Sequence, residues 1–144
     1  MAFQKKSAFA AAFPEPVRDG SLVIIEGRAK PSSAKFVLKL LCMPSEDKAL
    51  ICSFHLHDQV VVRNHLADTW GDEEISGGWP IDESEEFEIE FRITEDKIRI
   101  YVDGKYFRYF KHRLPYSSIT HINGSVGANY TSIRFDRIEP TCDD

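Results

Sequence analysis

A chain of 144 residues with 42% hydrophobic content is long enough to bury one core and is the right size for a single domain. Its net charge of -5 comes from acids and bases interspersed along the whole length, which argues against general phosphate-backbone binding, so nucleic acid is not an expected partner. No apolar run approaches the roughly 20 residues needed to span a bilayer, which leaves membrane insertion without support.

The three Cys, at 42, 52 and 142, have no CxxC spacing and cannot all pair. Cys42 and Cys52 fall in apolar runs, so all three read as reduced thiols of a chain folding in a reducing compartment. Ten Phe among Ile and Val neighbours favour strands over helices. The short Ala/Phe run before Pro14 is marginal for a signal segment.

Taken in order, residues 1–12 read as a loose leader or a weak edge strand. Asp19-Gly20 marks a turn, and 21–27 reads as a short strand closed by Gly27. In 35–43, Phe36, Leu38 and Leu40 alternate with Val37, Lys39 and Leu41, a period of two that predicts a strand. After Pro44-Ser45-Glu46-Asp47, the stretch 49–57 continues the alternation and sets His55 and His57 on one face, opposite Phe54 and Leu56. Residues 60–64 then place Val60, Val62 and Asn64 together. Phe87, Ile89, Phe91 and Ile93 alternate with charged residues in 87–93. The stretches 97–102 and 105–110 flank Asp103-Gly104, a two-residue type I′ hairpin signal. Further strands are expected in 120–124 and 130–138. About ten short strands, with turns every eight to twelve residues, predict an all-β, two-sheet antiparallel sandwich of jelly-roll type.

The chemistry concentrates in Phe54–Ile75, which holds three His, Asn64, Trp70 and a run of acids. His55, His57 and His65, with Asp58 or Glu73, could hold a divalent metal, although a solvated strand face accounts for them more simply. Glu73 and Glu74 are adjacent on an extended chain and cannot flank one bond, and no Gly-x-Ser-x-Gly elbow is present; catalysis has little support. The basic residues from Lys105 to Arg113 read as a solvated hairpin face. Trp70, directly before Gly-Asp-Glu-Glu, either caps the core or offers a flat platform for the C–H face of a sugar ring, with neighbouring polar groups reading hydroxyls.

From about residue 13 to 138 the chain resembles the galectin family. The opening FPEPVRDGSLVIIEG and the closing FEIEFRITEDKIRIYVDGKYFRYFKHRLP carry the scaffold likeness. The resemblance implies a concanavalin-like jelly roll, no enzyme activity, no cofactor and no metal. It divides the chain into 1–12, a carbohydrate recognition domain at 13–138 and a tail at 139–144. The family's sugar motif runs His-x-Asn-Pro-Arg, Val-x-Asn, Trp-Gly-x-Glu-x-Arg. On that pattern His55 matches the first His, Asn64 the Asn of Val-x-Asn, Trp70 the platform and Glu73 the acceptor. His57 and Gln59 stand at the Asn and Arg positions, and Ile75 at the last Arg. Arg63 lies on the opposite strand face from Asn64. The implied carbohydrate site is thus His55, His57, Gln59, Asn64, Trp70 and Glu73, a degenerate version with altered galactoside selectivity. A protonatable His57 would make such binding depend on pH. The other reading is a scaffold without sugar binding that serves as an interaction module. The family likeness also implies a cytoplasmic protein that leaves the cell without a signal peptide, and a homodimer through edge strands.

Overall fold

The computed structural model describes residues 5–139. The chain runs through β1 (Phe9–Ala12), β2 (Ser21–Ala29), β3 (Lys35–Leu41), β4 (Lys48–His55), β5 (Val60–Ala67) and β6 (Thr69–Trp70). It continues through β7 (Glu86–Ile93), β8 (Lys97–Val102), β9 (Lys105–Lys111), a single 3-10 turn at Tyr116–Ser118, β10 (His121–Gly124) and β11 (Ala128–Arg137). These form a six-stranded sheet, β1-β10-β3-β4-β5-β6, and a five-stranded sheet, β11-β2-β7-β8-β9, antiparallel throughout. The all-β jelly-roll expectation holds.

Period-two alternation makes each sheet one-sided. In β7, Phe87, Ile89, Phe91 and Ile93 are buried while the glutamates and Arg92 between them are not. Phe36, Leu38, Leu40, Leu50, Cys52, Phe54 and Val61 supply the facing layer from the six-stranded sheet. Phe36 stacks on Phe54 and on Phe87, with ring centroids 4.8 and 4.9 Å apart, so one aromatic column joins the two sheets. The Asp103-Gly104 turn has φ of 52° and 79°, as a type I′ hairpin requires.

Of the two readings of residues 1–12, the edge strand describes 9–12, where Phe9 lies opposite Gly124 and Ala12 opposite His121. Residues 1–4 and 140–144, which include Cys142, lie outside the described residues. One local expectation changes, and it matters for function: β4 ends at His55 and not at His57. Gln59 takes a left-handed φ of 53° and its N–H donates to the His55 carbonyl at 2.8 Å, closing a turn over Leu56–Gln59. His57 and Gln59 belong to that exposed turn, and the expected shared strand face of His55 and His57 does not form.

Candidate functional site

The outward face of the six-stranded sheet carries the residues left over from the core alternation. Register aligns them in rows: Asn123, Lys39, Ile51 and Asn64 lie across one row, and Val37, Ser53 and Val62 across the next. Lys35, His55 and Val60 form the row beside the turn, while Leu66 pairs with Trp70 at the other end. Val37 and Ile51 are buried yet lie outside the core cluster, which marks this outer surface as partly apolar.

The positions named from the sequence separate into two groups. Val60 faces His55 and Leu66 faces Trp70, and six residues of β5 at ~3.3 Å each put roughly 20 Å between those two rows. His55, with His57 and Gln59 beyond it, therefore stands at the far end of β5 from Trp70. Asn64, Trp70 and the segment through Glu74 come together at the near end. The metal reading fails on the same geometry: among the described residues no cluster of three His, Cys, Asp or Glu could hold an ion.

Trp70 is 61% exposed, which removes the core-cap reading. The segment that follows it is held from below. The Asn64 carboxamide Nδ2 donates to the Gly71 carbonyl at 2.9 Å, and the Gly71 N–H donates to the His65 carbonyl at 3.1 Å. Glu74 exchanges backbone bonds with Arg63, at 2.8 and 2.9 Å. Arg113, in the connection after β9, ties these pieces together. Its Nη1 donates to Asn64 Oδ1 at 3.0 Å and to His65 Nδ1 at 3.1 Å, and its Nη2 to Glu74 Oε2 at 2.9 Å. Because Arg only donates, His65 Nδ1 must accept. The guanidinium also lies 4.6 Å from the centroid of the Phe110 ring. Gly71 is required here for close approach: a Cβ would collide with the His65 ring and with Arg113.

Asn64 is buried by this network, and both ends of its carboxamide are engaged. Glu73 is exposed, whereas its neighbour Glu74 is the carboxylate held by Arg113. Reading the sequence alone overlooked His65, Gly71, Glu74 and Arg113 as one clamp. The His112-Arg113-Leu114-Pro115 run was visible, but as scaffold. Arg63 points the other way from the outward row that holds Asn64, as strand alternation requires. It is 1% exposed, lies 5.6 Å from the Phe107 ring centroid and has its pKa lowered, first by burial. Cys52, opposite Arg63 in the ladder, has its thiol pushed up to about 12 by burial, with Arg63 opposing.

Residues 8–135 match the sequence family described as galactoside-binding lectin. The chain belongs to this family. Among the family's members, it is 30% identical over 135 residues to a 32 kDa beta-galactoside-binding lectin of Haemonchus contortus, covering 89% of this chain and 47% of that protein. It thus spans about half the length of that relative. It is 25% identical over 129 residues to Homo sapiens Galectin-7, covering 86% of this chain and 93% of the relative. Among solved structures, a Caenorhabditis elegans galectin superposes with a TM-score of 0.84 at 18% identity, covering 92% of each chain. A human galectin-16 variant gives 0.82 at 21% identity, covering 90% and 95%. These two likenesses concern the fold.

The family motif needs three alternate outward positions on one strand for its His, Asn and Arg. In β4 the outward positions nearest Asn64 are Ile51, Ser53 and His55, since Ile51 pairs with Asn64, Ser53 with Val62 and His55 with Val60. The register therefore sets an aliphatic side chain, a hydroxyl and an imidazole on the outward row of β4 beside Asn64. His57 and Gln59, matched to the motif by sequence order, lie in the turn beyond that row.

Proposed function

We propose that this chain is a galectin-type lectin that binds glycans at the outer face beside Trp70, with weakened or altered selectivity for galactosides. One observation carries the reading. The Trp70 indole is exposed on a segment that Asn64, His65 and Arg113 tether, so an aromatic platform is displayed on a hydrogen-bonded support and not buried. A sugar ring offers such a platform its C–H face, and the remaining contacts must come from polar groups around the rim. Ser53 and Lys39 lie on the same face, with His55 further along it. The beta-galactoside binding in the name of the Haemonchus contortus relative supports the substrate class. Ile51 cannot accept or donate a hydrogen bond, and a site built to pair a hydroxyl loses much of its discrimination when that partner is absent.

The rival reading, a protein-interaction module without sugar, is favoured by the engaged Asn64 carboxamide and by the apolar Ile51 and Val37. A glycan array probed with the wild-type chain and with Trp70→Ala separates the two. Signal on galactosides that disappears in the variant supports the lectin; a blank array for both folded proteins refutes it. Edge-strand dimerisation and cytoplasmic residence with export independent of a signal peptide extend the same proposal. The buried free thiols of Cys42 and Cys52 agree with a reducing compartment.

A further inference from the structure

A separate pocket of about 380 Å³ opens on the side of the 70–76 segment where Arg63 is buried, lined by Arg63, Glu74, Ser76, Arg108, Tyr109 and Lys111. Three cations line it against one carboxylate, in a chain whose overall charge is -5. Glu74, that carboxylate, is already held by Arg113 at 2.9 Å. Among the described residues, Arg63, Arg108 and Lys111 form no ion pair.

Arg63 is the unusual member. Its side chain is almost fully buried, yet its hydrogen-bond acceptors are all neutral. Nη1 donates to the Val61 carbonyl at 3.1 Å and to the Ser76 carbonyl at 2.8 Å, and Nη2 reaches Ser76 Oγ at 3.4 Å. Nε has no partner at all. A buried guanidinium that is hydrogen-bonded only to carbonyls and a hydroxyl, with the field of a Glu74 carboxylate already engaged by Arg113 as its one nearby carboxylate support, is costly unless a further counter-ion reaches it. Arg108 uses one nitrogen, Nη1, to donate to the Phe107 carbonyl at 2.9 Å, which leaves Nη2 and the exposed Lys111 ammonium available. Ser76 and Tyr109, both of which carry a hydroxyl that can donate, complete the lining.

We propose that this pocket is an oxyanion site that takes a sulfate or phosphate group, with Arg108 and Lys111 as the capturing cations and Arg63 as the buried charge beneath them. Guanidinium forks match tetrahedral oxyanions in both charge and donor geometry, and the mixed Arg/Lys/hydroxyl lining suits the three terminal oxygens of an ester-bound group. The site stands independently of glycan binding at Trp70. The group can arrive as a sulfate ester on a saccharide or as a free inorganic anion, and the chemistry of capture is the same.

The test is a titration of the full-length chain with sodium sulfate against sodium chloride at matched ionic strength, followed by amide NMR and by thermal unfolding. Saturable shifts centred on Ser76 and Tyr109, with a rise in Tm, are expected. Arg108→Gln combined with Lys111→Gln, both on the surface and safe for folding, should weaken sulfate binding by about tenfold or more, while Trp70→Ala leaves it unchanged. Galactose 6-sulfate and inorganic phosphate form the remaining arms. Tighter binding of the sulfated sugar, lost in the double variant, assigns the group to a saccharide; equal binding of sulfate and phosphate assigns a free anion. Shifts that grow linearly without saturation, or saturable binding that the double variant leaves intact, overturn the proposal. A blank glycan array would refute the lectin reading and leave this site standing.

Discussion

Replacing Arg113 by Met keeps an unbranched chain over Phe110 but removes every bond that ties the connection after β9 to the segment beneath Trp70. The losses are a half-exposed ion pair to Glu74 and donated bonds to Asn64 Oδ1 and His65 Nδ1. The ion pair, with side chains 22% and 40% exposed, contributes at most about 1 kcal/mol. Bonds from a charged donor are worth ~1.5 kcal/mol or more each, and the contact with Phe110 adds a fraction of that. These contributions come to about 4 kcal/mol before solvent is counted, and water restoring part of them at this partly exposed position brings the expected destabilisation to roughly 3 kcal/mol. For a chain of this size that lowers Tm by roughly 6–12 °C. Urea unfolding with parallel Arg113→Met, Glu74→Gln and double variants measures the total and the coupling. Glycan affinity should fall along with stability, because the platform loses its support. A loss under about 1 kcal/mol, with wild-type glycan binding, would show that the clamp does not hold the segment and would refute the reasoning.

Trp70→Ala should change stability by no more than about 0.5 kcal/mol, because the indole is mostly exposed, while abolishing glycan signal; a large stability loss would mean the ring is structural. His57→Ala with Gln59→Gly should leave glycan affinity within roughly twofold, since both residues sit in the turn beyond β4; a larger change in isothermal titration would restore them to the site. Gly104→Ala meets no steric neighbour but must hold φ near 79°, so it should cost about 1 kcal/mol in chemical denaturation. Cys52 supplies a pH test. Its folded-state pKa is raised from 9.0 to about 12, so the unfolded chain releases the proton first and stability falls between those values. The slope is at most ~1.4 kcal/mol per pH unit. The Cys52 share of that fall should be missing from Cys52→Ala when urea midpoints at pH 8.5 and 10.5 are compared, leaving the smaller fall from the Tyr130 phenol, which burial also pushes up.

The sequence by itself determined the strand content, the alternation that builds the core, the Asp103-Gly104 hairpin and the family likeness. Each of these is a local pattern in which neighbours two residues apart share a face. It also singled out Trp70, since a Trp beside a run of acids departs from the apolar alternation around it. Where β4 stops was not legible. His55 and His57 fit the same period, and only pairing with β5 and the left-handed Gln59 decide that the turn begins after His55. The outward triplet facing β5 is Ile51, Ser53 and His55, two outward positions earlier than the triplet matched by sequence order, because register passes every side chain along the face together. The clamp on the Trp70 segment was equally out of reach, since Arg113 meets Asn64 across 49 residues of sequence. Local pattern fixes which face a side chain occupies, while long-range register and packing fix which side chains meet there.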